Sequence, residues 1–112
     1  MSAQDRQTLS LPSLRNLQAF IAVANALSIH QAAEQLNVTP SAVSHQIASL
    51  ESWMGKKLFI RSGKGVQLTP TGEKYLREVS AAMSAIGRAT DQIVKEKDTA
   101  VLRVHSSPTF GL

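Results

Sequence analysis

Serine, histidine and glycine-flanked lysine residues are the groups of this sequence that could carry out chemistry, and their spacing argues against catalysis. Ser44 and His45 are adjacent in a segment predicted to be helical, so their side chains point about 100° apart and cannot form a nucleophile–base pair. The segment 63–65, GKG, lacks the following Ser or Thr and the upstream glycine of a P-loop. The three histidines, at positions 30, 45 and 105, do not have the spacing of metal ligands. We therefore expect no enzyme activity, no cofactor and no metal site.

The positive charge of the chain is concentrated in one interval. Twelve Lys and Arg residues against eight Asp and Glu residues give a formal net charge of +4. No acid lies between Glu51 and Glu73. The basic residues of this interval, hereafter the basic cluster, are Lys56, Lys57, Arg61 and Lys64. A local basic patch fits a polyanion such as nucleic acid, and a solvated loop is the alternative.

Length and composition predict one small domain with an appendage. The chain has 112 residues, of which 43% are hydrophobic and 4% aromatic, so we expect an aliphatic, alanine-rich core. It contains no cysteine, which excludes disulfides and thiolate metal sites. No apolar run is long enough to span a bilayer, and the first ten residues have no secretory signal. We expect a cytoplasmic protein without a membrane partner.

Apolar periodicity and capping residues predict two helices in the first third of the chain. One apolar stripe at helical spacing consists of Leu14, Leu17, Phe20, Ile21, Ala24 and Leu27. Ser28 and Gln31 form a capping-box pattern that starts a short second helix. Asn37 tolerates the left-handed conformation in which that helix can end.

A third helix follows after a few residues, so positions 29–48 are predicted to form a helix-turn-helix. Thr39 is the predicted N-cap and Pro40 the first helical residue. The helix is predicted to end at Gly55, with 40–53 as the part that could recognise a partner, and its buried stripe is Val43, Ile47, Leu50 and Met54. The exposed face of this helix is small and polar, and 39–46, TPSAVSHQ, contains no Lys or Arg.

A hairpin and a long helix are predicted after the helix-turn-helix. Segments 57–61 and 66–68 flank a turn at 62–65, which predicts a basic wing over 57–68. A Thr-Pro signal at 69–70 begins a helix that is predicted to reach about residue 97. A heptad seam along it consists of Leu76, Val79, Met83, Ile86, Thr90 and Ile93. Segment 101–105 is predicted to be a strand that begins a further domain.

These elements predict a mainly α fold: a winged helix-turn-helix of three helices and a two-stranded wing, followed by a long dimerisation linker helix. In such an arrangement the third helix enters the DNA major groove and its small side chains approach base edges. Arg61, Lys64 and the N-terminus of the second helix would contact phosphates.

Two segments closely resemble the N-terminal region of LysR-type transcriptional regulators. They are IHQAAEQLNVTPSAVSHQIA, 29–48, and LESWMGKKLFIRSGKGVQLTPTG, 50–72. The resemblance extends over about 11–97 and is greatest to the glycine-cleavage-activator-like subgroup, in which VSHQI is common. It implies a flexible arm (1–11), a winged helix-turn-helix domain (12–69), a linker helix (70–97) and the start of a truncated effector-binding domain (98–112).

The resemblance also implies which residues contact DNA. The matching positions are Ser28, His30, Gln31, Thr39, Pro40, Ser41, Ser44, His45, Arg61 and Lys64. Three of them depart from residues that are frequent in the family. Gln31 and His45 stand where arginine is frequent, and Pro40 stands where glutamine is frequent. Some phosphate and base contacts are therefore expected to be weaker or to move to Ser41.

The implied partners are double-stranded DNA with an interrupted dyad-symmetric site and a second copy of the chain, paired through the linker helix. A tetramer in a full-length protein is a further option. A small-molecule effector is expected only for the C-terminal domain, and the location is the bacterial cytoplasm, on the nucleoid. Two alternatives stay open: a helical protein-interaction module, and a non-specific nucleic-acid-binding protein.

Overall fold

The computed structural model describes residues 10–63 and 65–101, with side chains through Glu96. Its elements in chain order are α1 (Leu14–Ala26), α2 (Ile29–Leu36), α3 (Pro40–Met54), β1 (Phe59–Ser62), β2 (Gly65–Leu68) and α4 (Pro70–Val101). The mainly helical winged fold predicted from the sequence is confirmed. Two compact units are present, divided after Arg77, within α4. No helix in this described part of the chain is both long and apolar enough to cross a membrane.

The first three helices begin at hydroxyl caps and end in left-handed residues. At Ser13, Ser28 and Thr39 the hydroxyl oxygen lies 3.1 Å from the backbone nitrogen three residues later, from which it accepts a hydrogen bond. The C-cap residue after each helix has a positive φ; these residues are Leu27, Asn37 and Gly55. Only positions 37–39 separate α2 from α3, and this short connection makes the tight turn predicted for 29–48.

The core is centred on Phe20, which is fully buried. Its ring centroid lies 5.5 Å from that of Phe59 and 5.4 Å from that of Tyr75, so α1 contacts both the wing and the start of α4. Desolvation raises the pKa of the Tyr75 phenol. The largest fully buried side chains are Phe20, Leu50, Leu58, Val23 and Val43. The stripe predicted for the third helix is thus confirmed, with Met54 packed at its margin.

Two sequence expectations were wrong in detail. Leu27 does not continue the α1 stripe, because the helix ends at Ala26 and the left-handed turn leaves the Leu27 side chain 46% exposed. Val101, predicted as the start of a strand, is helical, since 97–100 contains no Pro or Gly that would end α4. Segment 102–112, Lys64 and residues 1–9 of the predicted arm lie outside the described residues.

The wing is a two-stranded antiparallel hairpin. Phe59 pairs with Leu68 and Ser62 with Gly65, so the connection consists of positions 63 and 64. Gly65 has φ +126°, and a Cβ there would lie 3.2 Å from the Leu27 carbonyl oxygen. The turn end of the wing therefore packs closely against the turn between α1 and α2.

The start of α4 is fastened to the chain just before β1. The Thr69 hydroxyl donates to the Lys57 carbonyl (2.8 Å) and accepts from the Gly72 N–H (2.9 Å). The Thr69 N–H donates to the Leu58 carbonyl at 3.0 Å. A Cβ at Gly72 would overlap the Leu58 carbonyl oxygen, so only glycine allows this close approach.

We expect Gly72→Ala to lower the free energy of unfolding by about 1–3 kcal/mol, because a methyl group would push α4 from the Leu58 carbonyl. Gly87 in the same helix is the matched control, because a Cβ added there would have no atom of another part of the chain within 4 Å. Gly87→Ala should raise the free energy of unfolding by about 0.5–1 kcal/mol, as expected for Gly to Ala in a helix. Urea denaturation followed by circular dichroism at one protein concentration measures both. Equal stabilisation by the two substitutions would contradict the close approach.

Candidate nucleic-acid interface

A groove of about 400 Å³ lies between the starts of α2 and α3 and the wing. Six of the ten predicted DNA-contacting residues line it: Ser28, His30, Pro40, Ser41, Ser44 and Arg61. The other lining residues are Leu27, Ile29, Ser62, Gly65 and Val66. Residues that are distant in the sequence thus border one concave surface.

Packing of α3 determines which of its side chains face the groove. Val43, Ile47 and Leu50 are buried on the core side of the helix. Ser41 is consequently exposed, and Ser44 is half-buried in the groove wall. Small side chains on this face leave the helix backbone accessible to a partner, and their hydroxyls can donate or accept hydrogen bonds.

The N-terminus of α2 borders the same groove. The Ser28 hydroxyl accepts from the Gln31 N–H, and helix geometry leaves the N–H groups of Ile29 and His30 without intrahelical acceptors. Both residues line the groove. A helix N-terminus carries a partial positive charge, so an anion is favoured at this end of the groove.

Arg61 supplies the cationic side chain of the groove wall. It lies on β1, where its backbone pairs with that of the buried Val66, and its side chain is exposed. The described residues that line the groove include no Asp or Glu. The groove therefore combines a guanidinium group with helix N–H donors, and no carboxylate in this described lining opposes an anion.

Four predicted contact residues are not part of the groove lining. Thr39 is exposed, and its hydroxyl accepts the cap hydrogen bond from Ala42 at 3.1 Å. Gln31 is exposed, with its N–H bound to Ser28. His45 is exposed on α3, beyond the edge of the groove. Lys64 lies outside the described residues.

Glu51, on α3, has a role that the sequence did not predict. One carboxylate oxygen, Oε2, accepts from the Leu58 N–H at 2.8 Å and from the Phe59 N–H at 3.1 Å. The other oxygen, Oε1, lies 3.6 Å from Lys57 Nζ, and the Glu51 side chain is only 12% exposed. A sequence signal was available, because Glu51 directly follows the buried Leu50 and precedes a strand whose first N–H groups need acceptors.

The structure divides the basic cluster into separate positions. Arg61 lines the groove, whereas Lys57 extends beside Glu51. Lys56 is exposed at the end of α3 and lines a different hollow, together with Glu51 and Gly55. Arg61, which the sequence predicted to contact a phosphate, is thus the cation of the described part of the cluster that lines the groove.

The predicted heptad seam of α4 contains large apolar side chains that are exposed in a single chain. Ile86 is 59% exposed and Ile93 is 64% exposed, and the Thr90 hydroxyl is bound to the Ile86 carbonyl at 2.9 Å. Val79 is buried. Exposed isoleucines at seam spacing are suited to contact with another apolar helix.

Comparison with known proteins places this arrangement among bacterial regulators. Residues 14–73 match the family model described as bacterial regulatory helix-turn-helix protein, lysR family. The glycine cleavage system transcriptional activator of Escherichia coli (strain K12) is 39% identical over 102 residues, which cover 91% of this chain and 33% of that protein. The HTH-type transcriptional regulator PcaQ of Agrobacterium fabrum is 38% identical over 100 residues, covering 88% and 32%. The chain thus spans about a third of the length of these curated relatives.

Solved structures of two DNA complexes have a similar fold. The CbnR_DBD–DNA complex superposes with a TM-score of 0.69 at 32% identity, covering 76% of this chain and 98% of that chain. The BenM_DBD/benA site 1 DNA complex gives a TM-score of 0.71 at 27% identity, covering 76% and 96%.

Proposed function

This chain belongs to the lysR family of bacterial regulatory helix-turn-helix proteins, and on that basis we propose that it binds double-stranded DNA sequence-specifically as part of a dimeric transcriptional regulator. The observation that supports this most strongly is the shared groove. It brings the uncharged start of α3, the N-terminus of α2 and Arg61 together on one surface. Sequence comparison alone gives the family. The groove suggests which part of the DNA each element would contact.

In this proposal α3 enters the major groove of DNA. The major groove is about 12 Å wide, which admits an α-helix, and it presents a distinct pattern of donors and acceptors for each base pair. The hydroxyls of Ser41 and Ser44 and the imidazole of His45 approach base edges. Thr39 and Pro40 begin the helix at the point where it meets the DNA.

Phosphates are bound around the edges of the recognition helix. Arg61 contacts one phosphate from the wing, and Lys64 contributes a second cation. The N-terminus of α2, which includes Ser28, His30 and Gln31, contacts a further phosphate through the N–H groups of Ile29 and His30, because the Gln31 N–H is bound to the Ser28 hydroxyl. Affinity then comes mainly from the wing and α2, while α3 supplies base discrimination.

Sequence discrimination in this chain relies on small groups and on DNA shape. Histidine at position 45 cannot bind guanine bidentately as arginine does, and Pro40 has no side-chain donor. Two serines and a histidine provide few strong base contacts. Sequence-dependent groove width and flexibility should therefore contribute to site choice.

Two copies pair through the seam of α4 and present two α3 helices to an interrupted dyad-symmetric site. In this organisation 12–69 is the DNA-binding domain and 70–97 the linker helix. Residues 98–112 lead into an effector-binding domain that takes a small molecule. The regulator would act on the bacterial chromosome in the cytoplasm. We propose no enzymatic role for this chain, because the family consists of transcriptional regulators.

Two other functions lead to different results in the same assays. A protein-interaction module would bind its partner through α4 and would not need Arg61. A non-specific nucleic-acid-binding protein would retain salt-dependent affinity but would not prefer one duplex over another.

Selection of bound duplexes from a random-sequence library should enrich two half-sites related by a dyad, and enrichment of no sequence would contradict the proposal.

Substitution of Ser44 by alanine should weaken the free energy of binding to the selected duplex by about 1–3 kcal/mol, because a base contact is lost. The affinity for random duplexes should change little. Ser49→Ala is the matched control, since Ser49 is exposed on the same helix about 140° away from Ser44 and does not line the groove. Competition binding of Ser44→Ala and Ser49→Ala with selected and random duplexes measures both effects. Equal losses in the two variants would show that the serine face does not contact bases.

Arg61→Gln should weaken binding to all duplexes and reduce the slope of log K against log salt by about 0.9, the value for one phosphate contact. Lys56→Gln changes the net charge equally but alters a residue outside the groove, so the slope should stay close to that of the wild type. Fluorescence anisotropy over a salt series measures both slopes. Identical slopes for the two variants would mean that only net charge matters.

Ile86→Lys should shift the chain from dimer to monomer, because a charge would be introduced into the proposed seam. Ala85→Lys is the control, since Ala85 is also exposed but lies outside the heptad positions. Sedimentation velocity over a range of concentrations measures the association. A monomeric wild-type chain, or equal dissociation by both substitutions, would contradict pairing through this seam.

A further inference from the structure

A single carboxylate connects the recognition helix to the base of the wing. Glu51 Oε2 accepts hydrogen bonds from two consecutive backbone N–H groups, those of Leu58 and Phe59. The backbone carbonyl of Glu51 also accepts from the N–H groups of Gly55 (2.8 Å) and Lys56 (3.2 Å). One residue thus holds both ends of the connection between α3 and β1.

The two N–H groups have few other possible acceptors. Leu58 is fully buried and Phe59 is 7% exposed, so water has little access to their backbone. Phe59 is also the first residue of β1, and Arg61 follows two positions later on the same strand. Phe59 and Arg61 are paired with Leu68 and Val66 in the same hairpin, so a shift of Phe59 would be transmitted to Arg61.

We propose that Glu51 is a positioning residue that fixes the wing relative to α3, so that Arg61 reaches a phosphate while α3 lies in the major groove. This inference rests on the DNA-binding function proposed above. Glu51 would touch no DNA itself and would act through the N–H groups of Leu58 and Phe59. Glu51, Ser44 and Arg61 line a common hollow of about 170 Å³ between α3 and the wing, so a change in wing angle would alter their spacing directly.

The sign of the effect separates positioning from simple electrostatics. Glu51 is an acid near a basic surface, so its removal makes the chain more positive. If only charge mattered, variants without the carboxylate would bind every duplex more tightly. Positioning instead predicts weaker binding to the selected duplex when the carboxylate is lost, because a displaced wing cannot contact a phosphate while α3 contacts bases.

Two conservative substitutions separate the reach of the side chain from its charge. Glu51→Gln keeps the side-chain length, and its amide oxygen can accept from both N–H groups, but it loses the charge. Glu51→Asp keeps the charge but is one methylene shorter, so its carboxylate falls short of both groups. Glu51→Ala loses both properties. Glu34→Ala is the control, because Glu34 is an exposed acid on α2 outside the groove.

The experiment measures affinity of the full chain for the selected duplex and for random duplexes, at a temperature where each variant is folded by circular dichroism. We expect Glu51→Asp and Glu51→Ala to lower the selected-to-random affinity ratio about tenfold, which corresponds to about 1.4 kcal/mol. Glu51→Gln and Glu34→Ala should keep that ratio within about twofold, or about 0.4 kcal/mol. An unchanged ratio in every variant, with tighter binding to all duplexes by Glu51→Gln and Glu51→Ala, would overturn positioning in favour of charge.

Amide hydrogen exchange of the free chain gives a second readout that does not need DNA. Exchange at Leu58 and Phe59 should be faster in Glu51→Asp and Glu51→Ala than in the wild type and Glu51→Gln. Equal exchange in all four proteins would overturn the proposal even if affinities changed. If the wild-type chain showed no preference for any duplex, the proposed function would fail, and exchange would still decide whether Glu51 holds the wing.

Discussion

The segment Lys57–Phe59 is the point at which α3, the wing and the start of α4 are held together. Leu58 and Phe59 are buried, so their backbone groups have little access to water, and a buried N–H or C=O without a partner is costly. The Glu51 carboxylate of α3 accepts hydrogen bonds from the N–H groups of residues 58 and 59. Thr69, at the start of α4, donates hydrogen bonds to the carbonyls of residues 57 and 58. Gly72 permits this approach. The position of the wing thus follows from satisfying these backbone groups.

This arrangement also explains where the charges lie. The acid nearest the basic cluster, Glu51, is directed into the joint between α3 and the wing and does not line the groove. Arg61 then lines a groove whose described residues carry no carboxylate, beside the uncharged residues of α3 and the N-terminus of α2. Separation of phosphate binding from base contact is a physical basis for the function we propose. In this proposal the segment 39–46 needs no Lys or Arg, because phosphates are bound by the wing and α2.

Much of the fold follows from local sequence signals. Ser28, Thr39 and the heptad of α4 predicted helices that the structure contains, because caps and apolar periodicity are local properties. Six predicted contact residues also meet at one groove. The role of Glu51 was not predicted, since its hydrogen-bond partners depend on how β1 returns to α3. The requirement for glycine at position 72 was not predicted either, because it depends on how closely α4 approaches Leu58. Contacts between distant segments decide both.

A crystal structure of this chain bound to its selected duplex tests the central claim most directly. Our account predicts two copies related by a dyad, with Ser41 and Ser44 within hydrogen-bonding distance of base edges and Arg61 on a phosphate. It also predicts that Glu51 keeps its hydrogen bonds to Leu58 and Phe59 in the complex. A complex in which α3 lies outside the major groove, or in which Arg61 faces solvent while α3 contacts bases, would contradict the account.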